Sequence, residues 1–94
     1  MAGSEFSNRR AVALFYEQEQ TPLPRVVAKG EAHLAARMIE AAQEAGVPIM
    51  QDVGLATTLY HDVHLDHYIP TELIEPVAAV LNWVRKIKEE GASY

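Results

Sequence analysis

Two prolines, Pro22 and Pro24, lie between two short apolar runs and constrain the fold more than any other feature. Proline has no amide donor and pushes the preceding residue into an extended conformation, so no helix can pass through this point. The first run, Ala-Val-Ala-Leu-Phe-Tyr at residues 11–16, lacks polar alternation and predicts a strand buried on both faces. The short run at residues 25–28, which contains the β-branched pair Val26 and Val27, predicts a second strand. We therefore expect the two strands to pair antiparallel across the proline loop.

A helical pattern follows the second strand. Apolar residues recur with the spacing of one helix face, at Leu34, Ala35, Met38, Ile39 and Ala42. Gly46 is well placed to end this helix, because glycine adopts the left-handed conformation that closes a C-terminus. The short apolar run at residues 47–51 predicts a third strand. Since a strand, a helix and a strand form a crossover unit, this third strand should run parallel to a neighbour.

Two more helices are predicted in the second half of the chain. Asp52 is a plausible N-cap for a short helix over residues 55–60, and a polar loop should follow it. A long apolar stripe then predicts a C-terminal helix that Thr71 caps. Pro76 is unfavourable inside a helix, so we expect a looser first turn before the regular helix begins beside it. The predicted fold is α/β, with a small mixed β-sheet in β-β-α-β-α-α order flanked by helices.

The length of 94 residues fits a single domain. The first six residues, Met-Ala-Gly-Ser-Glu-Phe, are interpreted as an expression leader, because Gly-Ser-Glu-Phe is what two adjacent cloning sites usually encode. The folded domain is therefore expected within residues 7–94.

Composition excludes several classes of function. The chain has no cysteine, which rules out disulfides, thiolate metal sites and a cysteine nucleophile. The net charge of −5 disfavours nucleic acid and anionic membrane as partners. No apolar run approaches the roughly 20 residues that span a bilayer. No Ser/His/Asp arrangement or nucleophile-elbow motif is present, so neither catalysis nor a cofactor is predicted.

One cluster could suggest a metal site. His61, His64 and His67 recur every three residues, with Asp62 and Asp66 between them. Imidazole and carboxylate groups are suitable zinc ligands, which leaves a small metal-dependent enzyme as one alternative. Apolar residues interleave and no rigid element is predicted here, so an exposed loop with scattered histidines is the favoured interpretation.

Other candidate residues concern binding. Lys29 and Gly30 precede a helix and could hold an anion, but without a wider glycine pattern a turn with a solvated lysine is expected. The loop of Pro22, Leu23 and Pro24 is expected to be exposed. With Trp83 on the last helix, these residues are the candidate partner-binding residues, chosen for exposure and aromaticity.

Six blocks of sequence, taken together and in order, resemble a known family. They are Ala-Val-Ala-Leu-Phe-Tyr (11–16), Thr-Pro-Leu-Pro-Arg-Val-Val-Ala-Lys-Gly (21–30), Ala-Gly-Val-Pro-Ile (45–49), Leu-Ala-x-x-Leu-Tyr (55–60), Asp-His-Tyr-Ile-Pro (66–70) and Pro-Val-Ala-Ala-Val-Leu (76–81). The pattern is similar to the cytoplasmic C-terminal domain of the FlhB/YscU family, the export-switch proteins of type III secretion. The resemblance covers about residues 11 to 88, and two blocks look more like the injectisome branch than the flagellar one.

The resemblance implies a binding function. Family members have a membrane-embedded N-terminal half, absent from this chain, and hold this domain at the cytoplasmic face of the bacterial inner membrane. They help to change the class of exported substrate. The implied partners are other export-apparatus components and secreted substrates or their chaperones.

The chain departs from the family at one position. Family members cleave themselves between the Asn and Pro of an Asn-Pro-Thr-His motif, just before the first apolar strand. Here that stretch reads Phe6-Ser7-Asn8-Arg9-Arg10, and no Asn-Pro bond exists. No catalytic residue is therefore predicted. Either the sequence starts downstream of the motif or the protein belongs with short, stand-alone regulatory relatives that consist of this domain alone.

Overall fold

The computed structural model describes residues 9–17 and 19–91, which fold into one small α/β domain. The elements are β1 (Arg10–Phe15), β2 (Arg25–Glu31), α1 (Ala32–Ala45), α2 (Val53–Asp62), a 3-10 turn (Thr71–Leu73) and α3 (Ile74–Gly91). The predicted fold class is confirmed. The expression leader predicted at residues 1–6 lies outside the described residues.

The first two strands form the antiparallel hairpin that the prolines predict. Arg10 lies opposite Glu31 and Phe15 lies opposite Arg25, with an irregularity in the register after Ala13. The prediction that β1 is buried on both faces is wrong, because its residues are only half-buried and Phe15 is 41% exposed. A two-stranded sheet has too few neighbours to enclose both faces of an edge strand.

The third predicted strand does not form. Residues 47–51 make no strand, and within the described part of the chain the sheet contains β1 and β2 alone. The sheet is therefore antiparallel and not mixed. Pro48 removes an amide that a ladder would need, and Val47 and Ile49 stay 54% and 38% exposed.

The predicted end of α1 at Gly46 and the predicted N-cap of α2 at Asp52 are confirmed, but α2 covers Val53–Asp62 and is longer than the predicted 55–60. Gly46 takes the left-handed conformation (φ 74°), and the amide of Val47 donates to the carbonyl of Ala42 at 2.8 Å. The carboxylate of Asp52 accepts the amide of Leu55 at 3.0 Å, as an N-cap should. On the face predicted for α1, Ala35 is buried and Leu34 is 53% exposed; the other members, Met38, Ile39 and Ala42, are half-buried.

The start of α3 matches the prediction for Pro76 but not for Thr71. A 3-10 turn precedes the helix. Pro76 is the third residue of α3, where a missing amide costs no hydrogen bond within the helix. Thr71 is not the N-cap, because it lies inside the 3-10 turn and Pro70 occupies the cap position without a side-chain bond. Neither α3, with 18 residues, nor any other described helix is long and apolar enough to cross a membrane.

The core joins the hairpin to the second half of the chain. Its buried members are Val26, Leu59, Val63, Ile69 and Val77. The segment 66–69 reaches this core by running along β2. There the amide of Asp66 donates to the carbonyl of Val26 at 2.7 Å, and the amide of Ile69 donates to the carbonyl of Pro24 at 3.0 Å. The end of the predicted polar loop is thus a short extended stretch fixed to β2.

Lys29 ties β2 to the end of α2. Its Nζ donates to the carbonyls of Tyr60 and Val63, both at 2.9 Å, and lies 5.2 Å from the centre of the Tyr60 ring. The guanidinium of Arg10 lies 5.6 Å from the centre of the same ring and forms a 3.4 Å ion pair with Glu31. The expectation of a solvated Lys29 is therefore wrong, because orphan carbonyls at a helix C-terminus attract a cation.

Replacing the amine of Lys29 should destabilise the domain. Hydrogen bonds from a charged donor contribute about 1.5–3 kcal/mol, so Lys29→Met should lower the free energy of unfolding by about 2 kcal/mol. Lys86→Met is the matched control, since Lys86 is exposed on α3, and should change stability by less than about 0.5 kcal/mol. Urea denaturation measures both variants. Equal stabilities would show that the two bonds of Lys29 do not hold β2 to α2.

The same substitution at two glycines should have opposite effects. Nothing lies within 4 Å of a Cβ built on Gly46, so Gly46→Ala should cost about 1 kcal/mol purely through its positive φ. Gly54 is helical, and its nearest neighbour would be at an ordinary 3.7 Å, so Gly54→Ala should stabilise the domain by about 0.5 kcal/mol. Thermal denaturation tests the pair, and a stabilising Gly46→Ala would contradict the assigned C-cap.

Candidate docking groove

An open, apolar groove runs between the proline loop and α3. It encloses about 150 Å³, a volume that can hold a benzene ring in another protein. Its walls come from the residue that follows β1, the proline loop, the 66–69 stretch and α3. They are formed by Tyr16, Pro22, Leu23, Pro24, Ile69, Ile74, Ala78 and Leu81. The elements that form it are adjacent only after the chain has folded.

The proline loop forms a fixed wall of this groove. At its start the Thr21 amide donates to the Glu17 carbonyl at 2.9 Å, and the Glu17 amide donates to the Thr21 hydroxyl at 3.1 Å. At its end the Pro24 carbonyl accepts the Ile69 amide. The predicted exposure holds for Pro22 but not for Pro24, which is buried because this bond draws it against the core.

The opposite wall is one stripe of α3. Ile74, Ala78 and Leu81 are spaced by four and three residues and therefore lie on one side of the helix. Leu81 also packs against the core, while Ile74 is 38% exposed. The single methyl group of Ala78 leaves the space between the walls open.

A second compartment continues the groove toward the end of α3. It encloses about 270 Å³ and is lined by Tyr16, Leu81, Asn82, Val84, Arg85 and Lys88. Tyr16 and Leu81 line both compartments, so the two form one continuous surface. Among the side chains that the structure describes, neither Arg85 nor Lys88 forms an ion pair.

The structure brings together only some of the predicted binding residues. The three loop residues line the groove, whereas Trp83 is half-buried and is not among the lining residues of either compartment. A role for Trp83 as a partner contact stays a prediction. Sequence reasoning missed Tyr16, Ala78 and Arg85, although the apolar stripe of the last helix already contained the neighbours of Ala78.

The histidine cluster does not assemble into a metal site. Within residues 9–17 and 19–91, no three histidine or carboxylate side chains come together in a way that could hold an ion. His64 and His67 contact each other edge to face with ring centres 5.5 Å apart, and His61 contacts Tyr60 in the same way at 5.3 Å. All three histidines are exposed, as expected, but the predicted loop is wrong for His61, which lies inside α2.

The fold is similar to solved C-terminal domains of secretion proteins. A crystal structure of a mutated EscU/SpaS C-terminal domain superimposes with a TM-score of 0.80 at 34% sequence identity. The match covers 82% of this chain and 95% of that domain. The agreement extends over nearly the whole of the solved domain.

Relatives of two different lengths match this chain. Yop proteins translocation protein U of Yersinia pestis is 42% identical over 76 residues, which cover 81% of this chain and 22% of that protein. The chain thus spans about a fifth of the length of such relatives. The protein YlqH of Bacillus subtilis (strain 168) is 40% identical over 81 residues, which cover 86% of both chains.

A family model joins these observations. The model described as the FlhB HrpN YscU SpaS family matches residues 8–84, which contain both strands, all but the end of α3, and every residue of the apolar compartment. This match confirms the resemblance carried by the six sequence blocks. The chain belongs to the FlhB/YscU family of type III secretion and flagellar export apparatus proteins.

Proposed function

We propose that this domain is a docking module of a type III export apparatus and takes part in selecting substrates by binding them. The observation that carries the proposal is the open apolar groove between the proline loop and α3. Rigid walls around an exposed apolar surface are typical of protein recognition sites. In a full-length relative, the domain would act at the cytoplasmic face of the inner membrane.

The occupant proposed for the groove is a short apolar segment of an exported protein. The walls are mostly hydrocarbon, and proline and alanine contribute surfaces that a side chain can contact without ordering flexible groups. The apolar compartment is small, so it suits one anchoring side chain and a weak, reversible contact. Reversible binding fits a module that must release each substrate into the export path.

A stand-alone regulatory relative is the second candidate function. The match to YlqH covers 86% of that protein, so proteins of about this length exist in the family. Such a protein would use the same groove to compete with the full-length switch protein for its partners. The parent gene distinguishes the two candidates: four upstream membrane-spanning segments would exclude the regulator, and a gene of about 90 codons would support it.

The domain is proposed to act without cleaving itself. In the family reaction an asparagine side chain attacks its own carbonyl carbon, and the bond to the following proline breaks. Asn8 is followed here by Arg9, so the bond that this reaction breaks does not exist. Asn8 itself lies outside the described residues.

Closing the apolar compartment should abolish docking. Ala78→Gln places a longer polar side chain between the walls, while glutamine keeps a good helix propensity at this exposed position. Peptides that tile the exported proteins of the same bacterium should bind at least tenfold more weakly to this variant in a fluorescence anisotropy titration. Ala79→Gln is the matched control, because Ala79 is exposed on α3 but does not line the groove. Equal loss in both variants, or binding that neither variant weakens, would contradict the proposal.

The chain should remain intact over time. Because no Asn-Pro bond is present, incubation for days at neutral pH should leave one species at the full-length mass in intact mass spectrometry. The matched comparison is a variant with Phe6, Ser7, Asn8 and Arg9 replaced in order by Asn, Pro, Thr and His, which restores the motif in register. A fragment ending at Asn8 in the unaltered chain would overturn the assignment.

A further inference from the structure

The two compartments of the groove differ in charge. The apolar compartment is walled by the proline loop and the first turns of α3, whereas Arg85 and Lys88 line the second compartment. These cations stand out in a chain with 13 acidic and 8 basic residues. Lys86, which lies between them in the sequence, does not line the groove.

We propose that the segment that docks in the apolar compartment carries an acidic residue three to five positions from its apolar anchor, and that Arg85 and Lys88 bind this carboxylate. The inference rests on the proposed function, since it specifies the ligand of the same groove. It adds a charge requirement that the apolar compartment alone does not impose. Arg85 and Lys88 then act as specificity-determining residues.

Helix geometry sets the spacing. Arg85 follows Ala78 by seven residues and Lys88 follows it by ten, which at about 1.5 Å per residue places them about 10 and 15 Å further along α3. An extended peptide advances about 3.3 Å per residue, so three residues reach Arg85 and four or five reach Lys88. The shared residues Tyr16 and Leu81 provide a continuous surface over this distance.

The two cations should affect which segments are selected more than how tightly a segment binds. Both cations are exposed, so water and salt screen their attraction for a carboxylate. Complementary charge at the rim of an interface speeds association and rejects like-charged partners, with a smaller effect on affinity. The expected preference for an acidic segment is therefore about five- to tenfold at low ionic strength and smaller at high salt.

A peptide is favoured over an anionic membrane as the source of the negative charge. The two cations line a concave surface that continues an apolar groove, whereas a membrane surface requires basic residues that protrude together. Glu89 is exposed beside Lys88 and lowers the attraction for a negatively charged bilayer. The experiment must therefore distinguish binding to a membrane from binding to a peptide.

The test uses nine-residue Gly/Ser peptides with one leucine anchor, titrated into the isotopically labelled domain and followed by amide chemical shifts. In one set of peptides, Asp, Asn or Lys lies four residues after the leucine. In a second set, the same residue lies four residues before the leucine. We expect the Asp peptide of one set to bind five- to tenfold more tightly than its Asn counterpart in 20 mM salt. Equal affinities in both sets would overturn the inference.

Charge reversal gives the matched control. Arg85→Glu should remove the preference for Asp and make the Lys peptide the tighter ligand, while Lys86→Glu, with the same change in net charge, should leave the order intact. If both variants alter the order equally, the effect comes from net charge and the inference fails. Binding to vesicles of phosphatidylglycerol is measured as well. If Arg85→Glu abolishes vesicle binding and no peptide shows a charge preference, the inference is also overturned.

The Asn peptide separates this inference from the proposed function. Its binding should be unchanged by Lys86→Glu but lost in Ala78→Gln, because it uses only the apolar compartment and Lys86 lines neither compartment. If the Asn peptide binds and the Asp peptide gains nothing, the docking function stands and the charge requirement fails. If no peptide shifts any amide along the groove, the docking function itself fails.

Discussion

The bonds from the Lys29 amine to the carbonyls of Tyr60 and Val63 hold the two halves of this domain together. A two-stranded hairpin is marginally stable alone, so β1 and β2 need a partner. The last carbonyls of α2 in turn need donors that their own helix does not supply. One side chain meets both needs, because it reaches from β2 to cap α2. The chain beyond Val63 is then placed to run along β2 as the 66–69 stretch.

Local physical chemistry explains which elements could be predicted. The prolines, the Gly46 C-cap and the Asp52 N-cap act through their own backbone or through groups within four residues. Such constraints can be predicted from the sequence, because no distant partner is needed to satisfy them. The hairpin, the helix ends and the loosened start of α3 at Pro76 all follow from constraints of this kind.

Two of the failed predictions, the third strand and the solvated Lys29, depend on distant partners. Residues 47–51 have the composition of a strand, but a strand exists only where it pairs with a neighbour, and among the described residues this segment pairs with neither β1 nor β2. The solvation expected for Lys29 ignored carbonyls that lie 31 and 34 residues away in the chain. The groove belongs to the same class, because Tyr16 and Ala78 become neighbours only through the folded core. The family resemblance located the domain but could not show which apolar residues remain open to solvent.

The two compartments of the groove lie differently relative to the stretch that the family model matches. All residues of the apolar compartment lie within residues 8–84, the stretch that the family model matches. Arg85 and Lys88 lie beyond that stretch, in the last turns of α3. A relative with the same apolar compartment and other residues at positions 85 and 88 would bind a segment at the same place and prefer a different charge.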